Sequence, residues 1–213
     1  MKPALLLVLL VGVSIYGVRV VDRFTDAANA RSAAVAWYRS LNSGDRAATE
    51  AGACLDPSYA PLVECSLAMA WAMRDFESTA KWRFGDDTVV RWPERLQVDD
   101  ALKKVENCRI VVNGDTAELR SAEDIRGVIR LRKVDGRWKV ADLGATADDL
   151  QKIPPVAYLM AATIRATTAE LNAGRYGSAD EAVDAFTRKL IQHFMNSPQS
   201  SELFHTSLTP ESD

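Results

Sequence analysis

The sequence is poor in the residues that most often build metal centres and covalent catalytic sites. It has 213 residues but only two histidines, His193 and His205, and three cysteines. Both histidines lie near the C-terminus, and no H-E-x-x-H or C-x-x-C spacing occurs. Glycine-rich phosphate loops and the G-x-S-x-G nucleophile pattern are also missing. We therefore expect no metal, no nucleotide or other cofactor, and no serine or cysteine nucleophile.

The chain also lacks the strong positive charge that is typical of nucleic-acid-binding proteins. Its formal net charge is −3, with 47% hydrophobic and 26% charged residues. Six basic residues do cluster between positions 126 and 139, but they alternate with apolar residues. This alternation favours the solvated outer face of a sheet, partly paired with acids of the C-terminal helices, so no nucleic-acid partner is predicted.

The N-terminus carries the clearest localisation signal. Residues 3–18 form a run of sixteen uncharged residues between Lys2 and Arg19, which suits a cleaved signal peptide or an uncleaved membrane anchor. An A-x-A pattern at Ala28-Asn29-Ala30 follows at some distance. We therefore treat residues 1–30 as a leader. The rest of the chain is predicted to be exported, periplasmic or secreted, or held at the membrane by this segment.

Two cysteines are spaced for a local cross-link. Cys54 and Cys65 flank a loop with two prolines, and an oxidising compartment would allow a disulfide between them. The alternative is that these two residues and Cys108 are small buried side chains. The spacing does not decide between the two.

Helical periodicity dominates the first hundred residues. Helices are predicted over 27–42, over 46–53, and over 61–84, where Pro61 suits a first turn. A further short helix is predicted to start near Asp99 or Asp100. The apolar stripe of the 61–84 helix, which includes Met69, Met73 and Phe76, is the predicted core face.

After residue 107 the apolar period changes from 3.6 to 2, which predicts an antiparallel meander up to residue 143. Asn113-Gly114 and Asp135-Gly136 supply two tight hairpin turns. In the last strand, Trp138 and Val140 face the core while Arg137 and Lys139 face water.

Two more helices are predicted after Pro154-Pro155, and the second opens with a capping box at Ser178 and Glu181. The composition after residue 195 is typical of a disordered tail. The predicted organisation is therefore a leader, an α+β domain over residues 31–150, a helical hairpin over 151–195, and a tail over 196–213.

Three stretches, "AWYRSLNSGD", "VVNGDTAELR" and "VDGRWKVADL", resemble the nuclear transport factor 2-like, or ketosteroid-isomerase-like, superfamily. The C-terminal helix pair is similar to an extension of exported bacterial members of unknown function. The resemblance implies a cone in which a bent sheet wraps a long helix, with a pocket at the open end. It also implies sheets that pair back to back, and hence a homodimer.

The same resemblance suggests where a site would lie. The tyrosine that the enzymes of the family carry in the first helix falls on Trp37, and the segment of their aspartate base contains Asp56. We expect Trp37, Met69, Met73 and Trp138 to line the pocket, with Asp142 and Asp56 as candidate acids. The preferred interpretation is a non-enzymatic domain that binds a small apolar ligand or a protein partner. An isomerase or hydratase that uses a buried carboxylate and a tyrosine, and a self-association module, are the alternatives.

Overall fold

The computed structural model describes residues 25–93, 98–120 and 128–196. Most of the predicted leader, at residues 1–24, and the predicted tail, at residues 197–213, therefore lie outside the described residues. The helices are α1 at residues 25–43, α2 at Arg46–Ala51, α3 at Ala60–Phe84, α4 at Val98–Asn107, α5 at Ala147–Asn172 and α6 at Ala179–Asn196, and a 3₁₀ turn covers Pro57–Tyr59. The strands are β1 at Arg109–Asn113, β2 at Thr116–Arg120, β3 at Val128–Val134 and β4 at Arg137–Asp142.

These elements confirm the predicted α+β class, since helices pack on a four-stranded antiparallel meander in the order β1-β2-β3-β4. The second hairpin has the predicted turn, with Asp135 and Gly136 at φ values of 52° and 74° between the paired residues Val134 and Arg137. The first is shifted by one residue. Asn113 pairs with Thr116, so the turn is Gly114-Asp115 rather than Asn113-Gly114.

The described chain divides into two compact units, and the division differs from the predicted domain boundaries. The first unit comprises the chain up to Val63 together with Val98–Gln151, and it contains the sheet. The second comprises Glu64–Gln97 and the chain from Lys152, so most of α3 groups with the two C-terminal helices.

In the first unit, α1 is fastened to the sheet by side-chain contacts. Arg31 Nη2 donates to the carbonyl oxygen of Cys108 at 3.0 Å, and Lys133 pairs with Asp26 at 2.8 Å. The segment after α2 pairs with β4, because Val140 N donates to Gly52 O at 3.0 Å. The inner face of the sheet is buried, as the strand alternation predicts, at Ala117, Leu119, Leu131, Trp138 and Val140.

The core of the second unit is built on three aromatic rings. Trp92 contacts Phe76 of α3 and Phe186 of α6, with ring centroids 5.0 Å and 5.9 Å apart. Its indole Nε1 donates to Glu77 Oε1 at 2.8 Å, so this buried donor is satisfied. Aliphatic side chains of α5 complete this core, notably Ile164 and Leu171.

This packing identifies the partners of the apolar stripe of α3 in the second unit. The stripe is a core face, as expected, but Phe76 belongs to a cluster with residues of α5 and α6, and Met69 and Met73 pack against the same cluster. The spacing of the stripe could not identify the partners in α5 and α6, which lie about 90 residues or more further along the chain.

The start of α5 is also corrected. We expected a helix only after Pro154-Pro155, since proline lacks the amide hydrogen that a helix interior needs. Instead, α5 begins at Ala147 and includes both prolines. Thr146 and Asp149 explain the earlier start, because Thr146 Oγ1 accepts from Asp149 N at 3.1 Å and Asp149 Oδ2 accepts from Thr146 N at 2.8 Å.

Candidate functional site

A groove of about 660 Å³ lies within the first unit, between α1, α2 and the β3–β4 hairpin. This size is in the range of small-molecule sites. The helices contribute small side chains, which leave the space open, and two tryptophans form part of the apolar wall. The lining residues are Ala33, Ala36, Trp37, Ala48, Ala51, Gly52, Val134, Asp135, Arg137, Trp138 and Lys139.

Trp37 is held rigidly on the helical side of the groove. It is buried, and its Nε1 donates to the carbonyl oxygen of Thr49 at 3.1 Å. Thr49 is itself buried and donates its hydroxyl to Asp45 O at 2.7 Å. The ring of Trp37 therefore occupies a fixed position, with its polar atom already satisfied.

Trp138 on β4 differs from Trp37 in one respect that bears on ligand binding. Only 8% of the residue is exposed, yet its indole N–H has no acceptor in the part of the chain that the structure describes. The Nζ atom of Lys133 lies 5.0 Å from the ring centroid, a cation–π contact. A buried donor without an acceptor is costly, and such groups are rare in folded proteins.

Three of the described lining residues carry charge, and all come from the β3–β4 hairpin. Asp135 and Arg137 are exposed and Lys139 is half-buried. Asp135 sits in the turn itself. The groove thus combines an apolar wall with a charged hairpin rim, a common arrangement for a site that takes a largely apolar ligand.

The four residues predicted to line a pocket are divided between the two units. Trp37 and Trp138 both line the groove of the first unit. Met69 and Met73 belong to the second unit, where they pack against its hydrophobic core. Sequence reasoning missed the alanines and Gly52, because small residues at these helical positions are equally typical of close packing.

Asp142 is the better placed of the two candidate acids, at the end of β4. Its Oδ1 accepts from Tyr59 Oη at 2.5 Å and from Gly144 N at 2.8 Å, and its Oδ2 accepts from Arg130 Nη1 at 2.6 Å. Burial raises the pKa of Asp142, but these hydrogen bonds outweigh it, and the net pKa lies below its ordinary value. These contacts hold neighbouring segments together and give Asp142 a structural role in the first unit.

Asp56 has a different local role. Its Oδ1 accepts from Ser58 N at 2.9 Å and caps the 3₁₀ turn, and this backbone hydrogen bond lowers the pKa of Asp56. The carboxylate is a structural cap on the surface.

Two members of the basic cluster, Arg130 and Lys133, form ion pairs with acids in the described part of the first unit. Arg130 lies between Asp142 and Glu118, and Glu118 also accepts from Arg120 at 2.6 Å. Lys133 pairs with Asp26 of α1. The acids of the C-terminal helices, which the sequence suggested as partners, are not the ones found in these contacts. For Arg130 the neighbouring strands supply the acids, since Glu118 stands opposite Arg130 in the β2–β3 register.

The three cysteines are present as thiols, so the disulfide considered for Cys54 and Cys65 is not formed. Cys65 is buried on α3, whereas Cys54 lies in the segment that pairs with β4. Burial raises the pKa of the Cys65 and Cys108 thiols, which makes them less reactive.

Comparisons with known proteins add no assignment, since no family model, curated protein or solved structure matches the chain. In the described ranges, His, Cys, Asp and Glu side chains form no group of three or more that could hold a metal ion. Within those same ranges, each helix is too short or too polar to cross a bilayer.

Proposed function

We propose that the first unit binds a small ligand with an apolar body and a hydrogen-bond acceptor, in the groove between α1, α2 and the β3–β4 hairpin. One observation carries the proposal. Trp138 lines this groove and holds a buried indole N–H without an acceptor among the described residues. The nitrogen atom itself is closed to solvent in the unliganded structure, so we propose that the ligand enters beside the ring and that its acceptor satisfies this donor and removes its desolvation cost.

The lining supports binding rather than catalysis. Two indole rings and a set of alanines give the groove an apolar wall, while its charges are confined to the hairpin rim. In the first unit, the hydrogen bond from the Tyr59 hydroxyl to the Asp142 carboxylate joins two residues that do not line the groove. The proposal is therefore a non-enzymatic binding module of the nuclear transport factor 2-like type.

The location of this binding module is part of the same proposal. The uncharged run at residues 3–18 supports an exported protein, periplasmic or secreted, or one tethered to the membrane.

The test uses two probe molecules of similar shape, 2-acetylnaphthalene, which carries a carbonyl acceptor, and 2-ethylnaphthalene, which does not. Binding to the full chain labelled with 5-fluorotryptophan is followed by ¹⁹F NMR. We expect both probes to shift the Trp37 and Trp138 resonances. We also expect the ketone to bind about tenfold more tightly, which is the effect of one hydrogen bond.

Variants separate the hydrogen bond from the cavity. Trp138→Phe keeps a ring but removes the N–H, so it should abolish the preference for the ketone. Ala48→Leu places a larger side chain into the groove from an exposed helix position, so it should weaken the binding of both probes. Trp71→Phe, at an exposed tryptophan of the second unit, is the matched control and should change neither the affinities nor the preference. If neither probe perturbs Trp37 or Trp138, the proposed function is wrong.

A further inference from the structure

The second unit contains a separate groove of about 480 Å³ between α3 and α5. The residues that shape it recur every three or four positions on both helices, so each helix presents one continuous stripe. Asp75, Ser78, Thr79 and Trp82 come from α3, and Arg165, Thr168, Ala169 and Asn172 come from α5. The C-terminal ends of the two helices lie together, since Arg83 Nη1 donates to Asn172 O at 3.0 Å.

Trp82 is the unusual member of this set. It is 74% exposed, while Trp92 of the same unit is buried in the aromatic core. A lone exposed apolar side chain is ordinary on a protein surface. Here, however, the indole stands in a groove whose other members are a carboxylate, three hydroxyls, a guanidinium, an amide and an alanine methyl. A flat apolar surface therefore adjoins groups that donate and accept hydrogen bonds.

This combination favours one class of ligand. A pyranose ring has an apolar face of C–H groups that can stack on an indole, and a rim of hydroxyls that both donate and accept hydrogen bonds. Asp75 and Arg165 carry opposite charges, so the described lining does not form the cationic track that a polyanion needs. From Asp75 to Trp82 the groove follows α3 for about 10 Å, which is enough for two sugar rings.

We propose that the groove between α3 and α5 binds a neutral oligosaccharide, with one sugar ring stacked on Trp82 and its hydroxyls bonded to Asp75, Arg165 and Asn172. This site is independent of the groove in the first unit. A variant that loses sugar binding should therefore still bind the naphthalene probes, and a variant that loses the naphthalene probes should still bind the sugar.

The test is a titration of the full chain, labelled with 5-fluorotryptophan, with cellotetraose, chitotetraose and maltotetraose. We expect at least one of the three to shift the Trp82 resonance. Trp82→Ala should weaken that sugar about tenfold, a typical effect for a stacked ring. The single substitution Asp75→Asn should also weaken binding of that sugar, because it removes a charged hydrogen-bond acceptor. Ile191→Ala, which removes an exposed apolar side chain of α6, is the control and should leave binding unchanged.

Trp82 is exposed, so its replacement should not unfold the protein, and an unchanged circular dichroism spectrum of the variant verifies this. The proposal is overturned if none of the three sugars shifts the Trp82 resonance at about 10 mM, a concentration that would reveal even weak binding. It is also overturned if the sugar binds Trp82→Ala as tightly as the parent. Preferential binding of adenosine over every sugar would assign the groove to nucleobase stacking instead.

Discussion

Tyr59 donates its hydroxyl to Asp142 Oδ1 at 2.5 Å, and this contact joins the 3₁₀ turn before α3 to the last residue of β4. The two residues are 83 positions apart in the sequence. Asp142 also binds Arg130 and the backbone of Gly144, so one carboxylate holds three segments of the first unit together. The bonds to Tyr59 and Arg130 give this carboxylate a structural role that can be measured.

The first prediction concerns the Tyr59 hydroxyl. Tyr59→Phe keeps the buried ring but removes the donor to a charged acceptor, so we expect the free energy of unfolding to fall by about 2 kcal/mol. Urea denaturation of both proteins gives this value. Tyr158→Phe makes the same change at an exposed tyrosine of α5 and should cost less than about 0.5 kcal/mol. Equal effects of the two substitutions would contradict the role given to Tyr59.

The second prediction is a pH dependence that arises from Asp142. Its pKa in the folded protein is lowered, with burial opposing and the hydrogen bonds from Tyr59, Gly144 and Arg130 producing the shift. The folded state therefore favours the ionised carboxylate. Its contribution to stability is complete above the unfolded pKa of about 3.9 and is lost as the pH falls through the lower folded pKa.

Urea denaturation of the parent and of Asp142→Asn between about pH 5 and pH 2 tests this linkage. The parent should lose stability more steeply than the variant over this interval, because the variant has no carboxylate to protonate at this position. The difference between them should be largest above pH 4 and shrink at the acid end. A constant difference over the whole range would mean that Asp142 does not carry this linkage.

Local sequence patterns predicted the helices, strands and turns well, because these elements depend on the conformational preferences of neighbouring residues. The Asp135-Gly136 turn follows from the positive φ that both residues tolerate, and the burial of Trp138 and Val140 follows from strand alternation. The shifted first turn has the same origin. Gly114 has a φ of 59° and tolerates the left-handed region at either central position of a hairpin turn, so the sequence allowed both registers.

Local sequence patterns could not predict which distant segments pack against each other. The apolar stripe of α3 predicts that Phe76 is buried, but its spacing does not indicate that α5 and α6 pack against it. Trp92 shows the same limit, since it lies in a segment without periodicity and still completes an aromatic core. The sequence predicted only some of the residues that line the candidate groove. Trp37 and Trp138 could be identified because their side chains are large, whereas nothing distinguishes the alanines and Gly52 that make room for a ligand.

The third prediction tests the core of the second unit. Phe76 is fully buried against Trp92, so Phe76→Ala leaves a cavity and should cost about 3–5 kcal/mol. Phe84→Ala removes the same side chain at a half-buried position of the same helix, and its cost should be clearly smaller. Urea denaturation followed by tryptophan fluorescence gives both values. A larger loss for Phe84→Ala than for Phe76→Ala would contradict the packing described.

The last prediction concerns the polar contact between α5 and α6. Glu170 Oε2 accepts from Lys189 Nζ at 2.5 Å and from the Tyr176 hydroxyl, and these two hydrogen bonds, led by that of Lys189, lower the pKa of Glu170. Both charged side chains are partly shielded from water, with 26% and 30% exposed. Partial burial and a shared hydroxyl make this pair stronger than an ordinary surface ion pair.

A double-mutant cycle with Glu170→Gln and Lys189→Met should give a coupling free energy of about 1 kcal/mol. The control is the exposed pair Arg46 and Glu50 on α2, for which the corresponding cycle should give about 0.3–0.5 kcal/mol. Raising the salt to about 1 M shortens the Debye length to about 3 Å, so the α2 coupling should vanish while that of Glu170 and Lys189 is only reduced. If both cycles give the same coupling and the same salt dependence, Glu170 and Lys189 form no more than a surface ion pair.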